Sequence, residues 1–145
     1  MPGYKTHILV GVIFSALIYI VLLTLSYIKI FSIKNILISL VIAVLYSILP
    51  DIDHRSSEIT WFLLFVSTAL IVIGFIFYRF ILVLGIVLLI LVLIGVSLNH
   101  RGFTHSIVAN IFLSIPLLYF DWVYLVIGFM AYLSHLFLDK ELKLI

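Results

Sequence analysis

"FILVLGIVLLILVLIGVSL", residues 80–98, runs for 19 residues without a charged, amide or imidazole side chain. A helix of that length spans about 28 Å at 1.5 Å per residue, close to the hydrocarbon thickness of a bilayer. The run is apolar on every face, so it reads neither as the amphipathic helix of a soluble core nor as a barrel strand of alternating polarity. Lipid offers the backbone no hydrogen-bond partners, and a helix satisfies its own. Residues 80–98 therefore read as a transmembrane helix.

Working outward, comparable apolar stretches fall at 8–28, 36–49, 60–78, 107–120 and 122–138. The chain of 145 residues is 66% hydrophobic and 10% charged, and its mean hydropathy of +1.45 excludes a water-soluble globular domain. The sequence predicts an all-α, polytopic membrane bundle of six spans over residues 1–145, one domain, with both termini on the same side. Lys5 precedes the first run, but no small-x-small cleavage pattern follows, so that run is expected to remain as a span. The second and fifth stretches hold only about 14 or 15 apolar residues, or about 21 Å. Either the membrane thins there or the polar motifs at their ends sit below the lipid surface. Pro116 predicts a kink in the fifth span.

Cysteine is absent, which excludes disulfides, thiolate metal sites and cysteine nucleophiles; any metal must be held by His, Asp or Glu. The net charge of +2 and the lack of a basic run argue against a nucleic-acid partner. The surroundings expected for the chain are a lipid bilayer.

Polar residues are confined to short punctuation between spans, chiefly "PDIDHRSSE" (50–58), "NHRGFTHS" (99–106) and "HLFLD" (135–139). Six spans place these three motifs and His7 on one membrane face. That face takes eight of the nine His and Asp residues, Asp121 being the exception. It also takes Lys5, Arg55, Arg101, Lys140 and Lys143 against Lys29, Lys34 and Arg79 opposite, which predicts a cytoplasmic orientation for it. His135 and Asp139, four residues apart, share one helix face and can converge on one ion. Asp51 and Asp53 follow Pro50 in what reads as an extended turn that points both the same way, with His54 beside them. His100 and His105 flank a bend at Gly102, with Arg101 as a fixed charge; Thr104 or Ser106 caps the helix that follows.

Together His7, Asp51, Asp53, His54, His100, His105, His135 and Asp139 make eight oxygen and imidazole donors, enough for two four-coordinate ions, with one to three expected. The donor chemistry suits zinc first, then manganese or iron. The chemistry expected of such a site is phosphoester hydrolysis by a metal-activated water. In that scheme Arg55 and Arg101 neutralise developing charge, and Asp51 or Glu58 positions the water or takes its proton. The short spans favour a lipid phosphodiester or phosphomonoester as substrate. Two alternatives stand beside this reading. The metal can serve only to stabilise a structural or interaction subunit of a membrane assembly. An ion- or proton-coupled transporter is the third reading, although no acid or histidine continues a path through the middles of the helices.

"TH" (6–7), "LPDIDH" (49–54), "HRGFTHS" (100–106) and "SHLFLD" (134–139) occur in the order that resembles the YdjM-type family of inner-membrane metal-dependent hydrolases, described as LexA-binding and membrane-associated. That family is in turn similar to zinc-dependent phospholipase C and related single-strand nucleases, which use an H-x-x-x-D pair among their zinc ligands. The resemblance implies an inner-membrane location, His135 and Asp139 as ligands, and Asp53, His54, His100, His105 and His7 as the rest of the set.

Overall fold

A computed structural model describes residues 3–25, 32–98, 102–140 and 144. Among them every regular element is helical, and the chain forms two compact units, Met1–Pro50 with His105–Ile145, and Asp51–Thr104.

The first unit contains α1 (Tyr4–Thr24), α2 (Ile33–Ile48), α5 (Ile107–Ser114) and α6 (Trp122–Leu138). Two of these helices begin on side-chain caps, which replace the partners that the first turn of a helix lacks. The Ser106 hydroxyl accepts from the Ala109 N–H at the start of α5, and the Asp121 carboxylate accepts from the Val123 N–H at the start of α6. Its apolar core is Ile42, Ala43, Val123, Ile127 and Ala131, flanked by Val12, Tyr19 and Leu22. The start of α1, the end of α2, the start of α5 and the end of α6 meet at one end of this unit, through contacts of His7 and His105 with Asp139 and of His135 with Ser47. The helices therefore alternate in direction, and the up-and-down order expected for these four spans is the one observed.

Pro116 lies where the helix changes type. The eight α-helical residues of α5 give way to a five-residue 3-10 turn, Ile115–Tyr119. In the 3-10 pattern the Leu113 carbonyl would be met by the N–H of residue 116, which proline lacks. The Tyr46 hydroxyl donates to that carbonyl instead, at 2.7 Å. A second polar link, from Asn110 Nδ2 to the Phe129 carbonyl at 3.1 Å, joins α5 to α6.

The second unit is a hairpin of α3 (Glu58–Ile76) and α4 (Arg79–Ser97). Ser57 caps α3 by accepting from the Thr60 N–H. The two helices cross where Gly85 faces α3; a Cβ there would lie 2.7 Å from the Ile71 backbone nitrogen. Glycine is what lets the backbones approach this closely.

Four helical stretches are long and apolar enough to cross a membrane: Tyr4–Thr24, Ile33–Asp53, Glu58–Ile76 and Arg79–Ser97; Ile107–Tyr119 and Trp122–Leu138 are shorter. The expectation of a short second span is corrected, because a 3-10 turn, Leu49–Asp53, carries the helical path on through "LPDID" to make 21 residues. Leu49 keeps right-handed helical angles (φ −59°, ψ −34°) despite the proline that follows. The same turn corrects the extended geometry expected for Asp51 and Asp53: at three residues per turn, positions two apart do not share a face. Phe65, Phe75, Phe80 and Tyr119 are exposed, as lipid-facing side chains are.

Replacing Gly85 by alanine should force the α3–α4 crossing apart and destabilise the hairpin by about 1–3 kcal/mol. Thermal unfolding of the purified protein in detergent reads this as a lowered midpoint, while Val83→Ala, at an exposed position on α4, should leave the midpoint nearly unchanged.

Candidate metal centre

Asp139 is the residue just past α6, and its side chain is only 2% exposed. Three imidazoles face it. His7 Nε2 lies 3.4 Å from Oδ1, His135 Nε2 lies 3.4 Å from Oδ2, and His105 Nε2 lies 3.8 Å from Oδ2. The rings of His7 and His135 stack with centroids 3.9 Å apart and planes inclined by 21°, while His105 stands edge-on to His135 at 5.4 Å. His105 and His135 are wholly buried and His7 is nearly so.

Each donor is placed by a different element. His135 and Asp139 stack one turn apart at the end of α6, as their i, i+4 spacing requires. His7 sits in the first turn of α1. His105 closes a short 3-10 turn, Phe103–His105, immediately before the Ser106 cap of α5. The His135 Nδ1–H donates to the Ser47 carbonyl at 2.7 Å. That carbonyl lies in the last turn of α2, where its 3-10 partner would be the N–H of residue 50, absent because residue 50 is proline.

A carbonyl only accepts, so Nδ1 carries the proton, and in the neutral ring Nε2 presents its lone pair on the Asp139 side. A backbone acceptor on one ring nitrogen that leaves the other as a ligand is the usual arrangement of a metal-binding histidine. Ligand atoms of His105, His135 and Asp139 lie within 4.8 Å of one another, and Asp139 Oδ1 is buried without accepting a hydrogen bond among the described residues. These three residues, with His7 on the second carboxylate oxygen, form a group that could hold a metal ion. Imidazole nitrogens with a carboxylate oxygen suit zinc and its neighbours better than magnesium or calcium.

Asp51, Asp53 and His54 belong to the second unit. Asp51 opens the second unit, directly after Pro50. Asp53 is buried and accepts from the Thr104 hydroxyl at 2.6 Å, a short charge-assisted bond that ties the beginning of the second unit to its end. The exposed His54 turns its Nδ1 to the Ser56 backbone and hydroxyl, and the Thr60 hydroxyl holds the Ile52 and His54 carbonyls. Arg55 and Glu58 are exposed. His100 and Arg101 lie outside the described residues.

Ser47 and Thr104 are the participants that sequence reading missed as partners. Ser47 acts through a carbonyl that every residue has. Thr104 carried a visible signal, a hydroxyl beside His105, but it read equally well as a cap.

A family model described as YdjM inner membrane protein matches residues 1–140. The chain belongs to the YdjM inner membrane protein family. That match covers all four motifs, so the ordered set that carried the resemblance is now joined to a geometry in which His7, His105, His135 and Asp139 meet. Membership agrees with four helices apolar enough to span a membrane. No curated protein and no solved structure matches the chain.

Substituting Thr104 by valine keeps the shape but removes the donor to a buried carboxylate. This should cost about 1–3 kcal/mol, read as a lower midpoint of thermal unfolding, with Thr104→Ser recovering most of the loss.

Proposed function

We propose that this YdjM-family chain is a membrane-embedded, metal-dependent hydrolase that cleaves a phosphoester, a lipid phosphodiester or phosphomonoester being the favoured substrate. The observation that carries the reading is the approach of three imidazole Nε2 atoms to the buried carboxylate of Asp139 at the ends of apolar helices. A divalent ion bound there, zinc first among the candidates, supplies Lewis acidity to the phosphoester and lowers the pKa of a water.

The chain's own residues do the rest. His105, His135 and Asp139 hold the ion with His7 beside them, and Asp51 is assigned as a further ligand because it follows Pro50 at the end of the helix that supplies Ser47. Asp53, gripped by Thr104, keeps the "PDIDH" turn in place. Arg55 and Arg101 neutralise charge on the phosphoryl oxygens, and Asp51 or Glu58 orients the attacking water and takes its proton. His54 and His100 complete the donor set if more than one ion is bound. The motif-bearing face is assigned to the cytoplasm on the balance of Lys and Arg.

The deep burial of His105 and His135 favours one other reading, a closed metal site that only fastens the helix ends together. Catalytic sites keep a coordination position open and structural sites do not.

Elemental analysis of the purified protein and of His135→Ala, paired with turnover of lipid phosphodiesters and phosphomonoesters, separates the two. The hydrolase reading expects stoichiometric divalent metal in the wild type, its loss in the variant, and a fall in turnover of more than about 100-fold. Protein without stoichiometric metal overturns both readings, and tightly bound metal without turnover of any phosphoester leaves the structural one.

A further inference from the structure

Gly11 follows His7 by one turn on the same face of α1 and is buried. A Cβ at this position would run into the Ser47 Cβ, and it would lie 3.3 Å from Ser47 Oγ and 3.4 Å from Ser134 Oγ. The contact is therefore a three-way approach of α1, α2 and α6, one turn away from the imidazole cluster. Neither serine hydroxyl reaches across it. Ser47 Oγ donates to the Val44 carbonyl at 2.8 Å and Ser134 Oγ to the Ala131 carbonyl at 2.7 Å, each within its own helix. What crosses between helices at this level is the bond from His135 Nδ1 to the Ser47 carbonyl and the stack of His7 on His135.

We propose that Gly11 is a positioning residue for the metal centre. By letting α1 close on Ser47 it keeps the Ser47 carbonyl under His135 Nδ1 and the His7 ring against the His135 face, so that the His135 Nε2 lone pair is aimed before an ion arrives. Any side chain at position 11 pushes Ser47 away from α1, and the two features move together because one residue, His135, belongs to both. Pro50 is the other half of the device, since it withholds the N–H that would compete for the same carbonyl. The part of this inference that concerns affinity rests on reading the cluster as a metal centre; the part that concerns the His135 tautomer stands without it.

The test is zinc affinity of the full-length protein in detergent for the wild type, Gly11→Ala, Ser47→Gly and Gly11→Ala with Ser47→Gly together, alongside the nitrogen NMR signature of the His135 ring in metal-free protein. The wild type should show the Nδ1–H tautomer. Gly11→Ala should bind zinc at least about tenfold more weakly, the scale on which loss of an outer partner acts, and should lose the single tautomer. Removing the Ser47 Cβ takes away the atoms that the new methyl would meet while keeping the carbonyl, so the double variant should recover most of the affinity.

Gly128→Ala serves as a packing control. Its Cβ would press on Leu117, Tyr46 and Ile42, away from the cluster, and zinc affinity should be unchanged. Equal affinity in Gly11→Ala and wild type overturns the proposal, as does a folded double variant that stays weak. An Nε2–H tautomer in the wild type overturns it even if Gly11→Ala does not fold. Wild-type protein that binds no zinc defeats the metal reading instead, and the tautomer result then decides the positioning role alone.

Discussion

Taking a carboxylate out of water costs several kcal/mol unless donors or positive charge surround it, and Asp139 is buried at the end of an apolar helix. A cation held between that carboxylate and the imidazoles would meet the cost, and the first unit places those groups together. α1 brings His7, the turn before α5 brings His105, and α6 itself brings His135, each with Nε2 toward the carboxylate. Because the three imidazoles come from separate elements, the alternation of helix directions and the convergence of donors are one constraint seen twice. A helix reversed or slid by a turn would leave Asp139 short of a partner.

Two prolines contribute in the same way. Pro116 and Pro50 each sit in a 3-10 turn, and each lacks the N–H that would hold the carbonyl three residues earlier. In an apolar setting such a carbonyl must be satisfied by another group. Tyr46 reaches Leu113 and His135 reaches Ser47. A break in a helix thus becomes a point of attachment between helices, structural in the first case and, in the second, a constraint on which nitrogen of His135 carries a proton.

The spans were legible because a run such as residues 80–98 has one physical reading in any solvent, and the helix boundaries follow from the polar punctuation between runs. Part of the cluster was legible too: the four-residue spacing of His135 and Asp139 depends only on helix geometry, and the placing of His7 and His105 on one membrane face only on span count. The turn after Pro50 was not. Proline biases its predecessor away from helix, yet Leu49 remains helical, so local propensity yields here to the continuing 3-10 path. Ser47 and Gly11 were invisible because one acts through a backbone carbonyl and the other through a missing side chain. His54 read as a donor like its neighbours, and its Nδ1 turns locally to Ser56, two residues on.

X-ray absorption at the zinc edge of the purified, zinc-loaded protein addresses the central claim most directly, because it reports the ligands and not merely the presence of metal. The account predicts a first shell of nitrogen and oxygen at about 2.0–2.1 Å, with the outer-shell scattering of two or three imidazoles that is reduced in His135→Ala. A spectrum without imidazole scattering, or zinc with only water-like oxygen neighbours, would contradict it.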